Sequence, residues 1–397
     1  MPLEFSKVAA QIENMVAKAG QEGEERRGHL RRAVKLFAEV DAGIFTSKIA
    51  SCNTPWPVAG LTNGFNKQYD PSPCPGEFTV IATDGSHIEV DRHSSVRCYL
   101  INIGSVVIRY GANPDAHIDS EARVYFGNDL MLTNPVSGKG ELIEGALLGA
   151  KRSIEECSTL ADVISKQPPG RITLAMIDGS LVLWGLSPQD YEGFIREELL
   201  DRNYLFAFDH MKKRSAIDPI ALCAYTSFPR NSEVMNALRV CVCGCEPVDC
   251  ERCRQLKRDR ECDDMEGITD GALFDALLGA GQRSAVFQSG SYYVKKYYGE
   301  HKISFFYMKS GDEIARIEIP QWVAGRSDLI DMVHTLVLDQ CRRGLGYPVA
   351  LMEAHEKAVV TVSDREAFRL LVERALFERG VDLQVSGKSR SKRGRWV

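Results

Sequence analysis

The feature that most constrains this chain is a tripeptide used twice, each time at the end of an apolar run. Ala82-Thr83-Asp84-Gly85-Ser86 closes Phe78-Thr79-Val80-Ile81, and Asp178-Gly179-Ser180 closes Ile172-Thr173-Leu174-Ala175-Met176-Ile177. Each run has the length and β-branched content of a buried strand, and Asp-Gly is a turn signal that stops one. Two carboxylates therefore fall at the carboxyl ends of two strands, the edge of an open sheet where ligands gather. If the strands are neighbours, the acids can share a divalent cation, and hard oxygen ligands suit manganese or magnesium better than zinc. Read singly, each Asp-Gly is an ordinary turn; the repetition after matching strands points to a site.

The order of elements between the two runs narrows the fold. Two further strands, Arg97 to Ile103 and Val106 to Tyr110, are expected to meet at Gly104-Ser105 as a hairpin. A loop and a helix from about Glu141 to Lys166 follow, and Pro168-Pro169-Gly170 ends that helix. Strand with acid, hairpin, helix, strand with acid is the layout of an α/β, RNase H-like core, a mixed sheet flanked by helices.

The flanks are read more coarsely. Phe5, Val8, Ile12 and Met15, then Leu30, Val34 and Phe37, recur at helical spacing and predict a helical hairpin within residues 1–50. Residues 51–385 form the main domain, in which 191–202 reads as a helix and Ile303 to Met308 and Ile314 to Ile319 read as paired strands. A strand over 358–362 and a helix capped by Ser363-Asp364-Arg365-Glu366 close it. Residues 386–397 hold Lys388, Arg390, Lys392, Arg393 and Arg395, a solvated basic tail or a phosphate-contacting arm.

A net charge of −5 argues against simple coating of nucleic acid. No run approaches the ~18 apolar residues of a membrane span, and residues 1–20 lack the apolar core of a secretory signal, so no membrane role and a cytoplasmic location are expected. The 12 cysteines then read as thiols or metal ligands rather than disulfides. Six of them, Cys241, Cys243, Cys245, Cys250, Cys253 and Cys262, form a Cys-rich insert at 241–262. Cys250-x-x-Cys253 has the span of a zinc knuckle, which Cys245 and Cys262 would complete; an iron–sulfur cluster and a metal-free loop are the alternatives. Tyr292-Tyr293-Val294-Lys295-Lys296-Tyr297-Tyr298 combines rings with cations, as a single-strand channel does, or is a strand with inward tyrosines. Arg283 is a further phosphate contact or a structural arginine.

Four stretches resemble the NurA nucleases: Thr83-Asp84-Gly85-Ser86, Ile177-Asp178-Gly179-Ser180-Leu181, Arg316-Ile317-Glu318-Ile319-Pro320, and Gly346-Tyr347-Pro348 leading to Ala354-His355. The resemblance spans roughly residues 77 to 380. It implies an RNase H-like DNA nuclease dependent on Mn2+ or Mg2+, with 5′ to 3′ polarity, working beside a hexameric HerA-type ATPase in end resection and as a homodimer. It assigns Asp84, Asp178 and His355 to the catalytic metal site. The helix glutamate lies about two dozen positions before Asp178 in such a core, which selects Glu156 (178 − 156 = 22) or Glu155, with Glu144 also off the apolar stripe; spacing favours Glu156. His87 and His93 are second candidates, and Tyr293, Lys295, Lys296 and Tyr347 are candidate nucleic-acid contacts. A non-catalytic binding module of the same fold is the competing reading.

Overall fold

The computed structural model describes residues 4–61, 64–89, 96–187, 191–255, 260 and 262–380. His93 and the basic tail at 386–397 lie outside the described residues. The chain divides into two compact units, one of residues 72–225 with 319–397 and the other of residues 1–71 with 226–318.

The unit of residues 72–225 and 319–397 is built on a mixed sheet. Phe78–Ile88 is its centre, with Phe78 to Thr83 buried as their apolar and β-branched character demands. Cys98–Tyr110 pairs with it antiparallel, from Phe78 opposite Tyr110 to Ile88 opposite Leu100. Asp115–Phe126 pairs antiparallel in turn. On the other side Thr173–Asp178 runs parallel to the central strand, and Ile220–Ser227 runs parallel to Thr173–Asp178. Numbered along the chain, the strands lie in the order 3-2-1-4-5, the mixed RNase H-like sheet expected from the sequence.

Two sequence expectations change here. The predicted hairpin at Gly104-Ser105 is the middle of one 13-residue strand, and the strand pairs across a turn at residues 111–114 with a segment read as loop. That third strand is exposed along most of its length and lacks alternation, so periodicity could not reveal it. Gly104 is instead a close-approach glycine: a β-carbon there would stand 2.3 Å from the Ala354 carbonyl oxygen. Helix Val349–Ala358 lies against the sheet at that point.

Helix Ala146–Ser165 covers the opposite face. Adjacent strand residues point to opposite sides; Gly85 looks toward Arg152 and Glu156 of this helix, while Gly104, level with Asp84, looks toward Ala354. The helix buries Leu147, Leu148, Ile154, Cys157, Leu160 and Ile164 on its sheet side. The predicted helix at 191–202 runs as continuous helical backbone from Gly193 to Ser215, with a π-helical stretch at Glu197–Tyr204. The strand expected at 358–362 is absent: Ala358 ends one helix and Val362 begins the next. The capping box lies two residues earlier than predicted, with Thr361 and Asp364 as its partners.

In the other unit, the expected helical hairpin is one helix, Phe5–Glu39, followed by Ala42–Ser51. Gly20 and Gly23 lie within that first helix, since a glycine costs a helix only about 1 kcal/mol and imposes no turn. Phe5, Ile12 and Met15 stay exposed; the helix joins the core from Leu30 onward, through Ala33 and Phe37. Phe37, Phe45, Phe65, Phe274, Phe287, Phe305 and Tyr307 fill that core. Short strands Gly60–Leu61 and Phe287–Gln288 lie in sheet order beside the predicted pair, Ile303–Ser310 and Glu313–Pro320. Among the described residues no helix is long and apolar enough to cross a membrane.

Candidate active site

The central strand does not stop at Asp84 but runs on to Ile88, because the antiparallel ladder with Cys98–Tyr110 continues past it. What stops is the parallel ladder, whose last pair is Thr83 with Ile177. Asp84 and Asp178 are the next residues on the two strands, so both carboxylates fall where neighbouring strands part. Gly179, with φ at 88°, turns the chain away there, a conformation costly for a residue with a side chain.

The helix contributes the third acid. Glu156 is 5% exposed, and it lines a cleft of about 470 Å³ together with Asp84, Asp178, Ser180 and Trp184. Burial raises its carboxyl to about 8; Arg152 opposes the rise, and the charges of Asp84 and Asp178 add to it. Arg152 Nε lies 3.1 Å from the buried Glu156 Oε1, an ion pair without hydrogen-bond alignment. Glu155 turns the other way, to Lys151 at 2.9 Å and Arg123 at 3.3 Å. Glu144 precedes the helix altogether.

Two residues from the far end of the chain reach the same place. His355, on the helix that packs over Gly104, brings Nδ1 to 2.7 Å from Asp84 Oδ2, while Oδ1 accepts the Gly85 N–H at 2.7 Å. Its ring is 61% exposed against 16% for the Asp84 side chain, so one side of the imidazole is tied and the rest is open. Tyr347 donates its hydroxyl to Asp178 and packs edge-on against Tyr225. Burial raises the Asp178 carboxyl, the Tyr347 hydrogen bond resists, and Asp84 adds to the rise.

His87 lies away from this group: its Nε2 is 3.9 Å from Glu89, and burial followed by the Arg152 charge lowers its basicity. Sequence reasoning missed Arg152 and Trp184. Arg152 carried a weak signal, being four residues before Glu156 on one helix face. Trp184 follows the second Asp-Gly-Ser by a few residues, is half exposed and donates to Ser180 Oγ at 3.2 Å.

A buried ion network accounts for the third resemblance stretch. Arg316 is fully buried, 3.0 Å from both Glu233 and Glu318, with Tyr307 Oη at 3.3 Å and the Phe305 ring beneath it. Glu233 also accepts from Ser289 and the Gly290 N–H, and Asp270 accepts the N–H groups of Val234 and Met235. These residues lie within one unit and hold it together.

The aromatic-cationic segment is a short helix, Tyr292–Tyr297, rather than a strand. Tyr293 is buried against Tyr297 and Tyr298, which removes it as a stacking platform, while Lys296 sits over the rings of Tyr292 and Tyr297. Lys295 lies on the same helix. Arg283 is buried with its guanidinium over Tyr69, so it is not a surface phosphate contact. Of the four cysteines expected to hold zinc, Cys245 and Cys253 group with Cys243 instead, and Cys250 and Cys262 line the cavity alongside.

The NurA domain family model matches residues 78–360, more than two thirds of the chain. The chain belongs to the NurA family. This is a nuclease family, and its matched span contains all three acids, Tyr347 and His355. No curated protein sequence matches the chain. Among solved structures, it is similar to LC9-RNase H1, a type 1 RNase H with the type 2 active-site motif, at 8% identity and a TM-score of 0.22, covering 42% of this chain and 71% of that one. The Argonaute of Aquifex aeolicus is similar at 10% identity and a TM-score of 0.21, covering 72% of this chain and 29% of its own.

Proposed function

We propose that this NurA-family protein is a metal-dependent DNA nuclease, with Asp84, Glu156 and Asp178 holding Mn2+ or Mg2+ and His355 and Tyr347 completing the centre. The observation that carries the reading is Glu156, a buried carboxylate whose Oε1 has Arg152 beside it without hydrogen-bond alignment, lining a cleft shared with two other acids. Glu156 and Asp178 have their carboxyls raised by burial and by the neighbouring charge of Asp84, a cluster costly by itself and suited to a divalent cation. The donor set is all oxygen, as magnesium and manganese prefer. When bound, such ions activate water and neutralise the departing oxygen of a phosphodiester.

The protein's own residues supply the rest. Asp84 fixes the His355 ring through Nδ1, which leaves the other ring nitrogen to hold or move a proton. Tyr347 orients Asp178. Trp184 offers an aromatic face at the cleft on which a base can stack. Kinship with the NurA family supports the finer reading: 5′ to 3′ exonuclease with single-strand endonuclease activity in DNA end processing and repair, a HerA-type hexameric ATPase as partner, a homodimer, and a cytoplasmic location.

The test is cleavage of end-labelled single-stranded DNA, with RNA alongside, in Mn2+, Mg2+ or EDTA. The parent should cut DNA only with a divalent ion, and Asp84→Asn and Asp178→Asn should each abolish cutting while remaining folded. DNA binding without cleavage in any metal would favour the non-catalytic module.

A further inference from the structure

We infer that the Cys-rich segment holds a single zinc ion on Cys243, Cys245 and Cys253, with a fourth thiolate from Cys250 or Cys262. This site is separate in chemistry from the proposed nuclease centre and does not depend on it. The ligand set also differs from the knuckle that the sequence suggests, because Cys243 takes a place in it.

The sulfurs of Cys243, Cys245 and Cys253 all lie within 4.8 Å of one another, and none of the three is in a disulfide. A tetrahedral zinc with Zn–S bonds of about 2.3 Å needs sulfurs about 3.8 Å apart, so small side-chain rotations close the site. An iron–sulfur cluster hangs its thiolates on separate irons and spreads them further, which disfavours it here. Soft thiolates select zinc over manganese or magnesium. The two centres of this chain therefore sort their metals by donor type.

The surroundings are those of a built site. Cys250 and Cys262 share the wall of a cavity of about 180 Å³ with Cys243 and Cys253, within reach of the triad. Arg239, Arg254 and Arg260 line the same cavity, and their charge offsets the two negative charges of a tetrathiolate zinc. The backbone is held from outside the segment: Lys48 Nζ donates to the carbonyls of Cys241 and Cys243, both at 3.0 Å. Asn53 bridges to Asp249, whose carboxylate accepts the N–H groups of Glu251 and Arg252 and so fixes the start of the helix bearing Cys250 and Cys253. The ion would thus staple the Cys-rich segment to helix Ala42–Ser51 and to Asn53 after it.

The experiment is metal analysis of the full chain purified under thiol reductant from zinc-supplemented cells, without metal added later. About one zinc per chain is expected, with a loss of about tenfold or more in Cys243→Ser and Cys253→Ser and parental content in Cys74→Ser. Competition with a chromophoric zinc chelator should show weakened binding in one of Cys250→Ser and Cys262→Ser. Cobalt(II) added to the metal-free parent should give thiolate charge-transfer and tetrahedral d–d absorption, which decides the matter if a serine variant fails to fold. Zinc far below stoichiometry with no cobalt bands, parental zinc in Cys243→Ser, iron with sulfide in place of zinc, or parental zinc affinity in both Cys250→Ser and Cys262→Ser would each overturn the assignment. DNA cleavage is not the readout, so failure here leaves the nuclease reading standing and the reverse also holds.

Discussion

Gly85 and Glu156 are fitted to each other: a β-carbon on residue 85 would stand 2.6 Å from Glu156 Oε1. The second residue of the Asp-Gly-Ser motif is therefore a space left for the helix carboxylate, inside a strand that continues through it. Adding one methyl group, as in Gly85→Ala, should push Glu156 out of line. We expect DNA cleavage with Mn2+ to fall by about tenfold or more, with stability lowered by about 1–3 kcal/mol in urea titration. Unchanged cleavage would remove Glu156 from the centre.

The raised Glu156 carboxyl makes a prediction about pH. Its ordinary value is 4.5 and burial lifts it to about 8. Between those values the folded chain keeps a proton that the unfolded chain has released, so stability is lost as pH rises through that window. Glu156→Gln removes the titration. In EDTA, the melting temperature of Glu156→Gln should match the parent at pH 4.5 and exceed it at pH 8, at about 2–4 °C per kcal/mol. A gap that does not widen with pH would show that Glu156 ionises normally.

Tyr347 holds Asp178 through a single hydroxyl. Tyr347→Phe keeps the ring against Tyr225 and removes only that hydrogen bond. Cleavage should drop several-fold, and more Mn2+ should be needed for half-maximal rate, while urea stability changes by about 1 kcal/mol or less. A loss confined to DNA affinity would make Tyr347 a substrate contact instead.

Arg316 predicts a stability defect in the other unit. Its removal in Arg316→Met strands Glu233 and Glu318 without their cation in the interior. A loss of about 3–5 kcal/mol in chemical unfolding is expected. Replacing all three with apolar residues of similar volume should recover much of it, since the cost lies in the unpaired charges.

The acids were legible because their signal is local. Asp84 and Asp178 end or interrupt buried apolar runs, and the spacing from Asp178 back to Glu156 is what the resemblance to an RNase H-like core implies. Glu155 and Glu156 could not be told apart by polarity, since both lie off the apolar stripe; Gly85 is what separates them. The third strand was hidden by its polar, exposed sequence. Gly104-Ser105 misled because a glycine in a strand has two meanings, a turn or a close approach, and only the helix at Ala354 decides between them. Arg316 belongs to one of the resemblance stretches, and its partners, Glu233 far away in sequence and Tyr307 nine residues before it, make it a buried structural ion. In the Cys-rich segment the spacing favoured the x-x pair, whereas the fold brings in Cys243.

The helix that docks over Gly104 also sets a schedule. Between Asp178 and His355 the ribosome must make the second segment of the other unit, residues 226–318, which is 93 residues (318 − 226 + 1). A nascent chain that has already made all three acids still has one face of its central strands bare and lacks the imidazole. Only when synthesis has passed Ala358 can that helix close the sheet and bring His355 to Asp84. Chain order thus keeps the proposed centre incomplete until the helix that ends at Ala358 has been made.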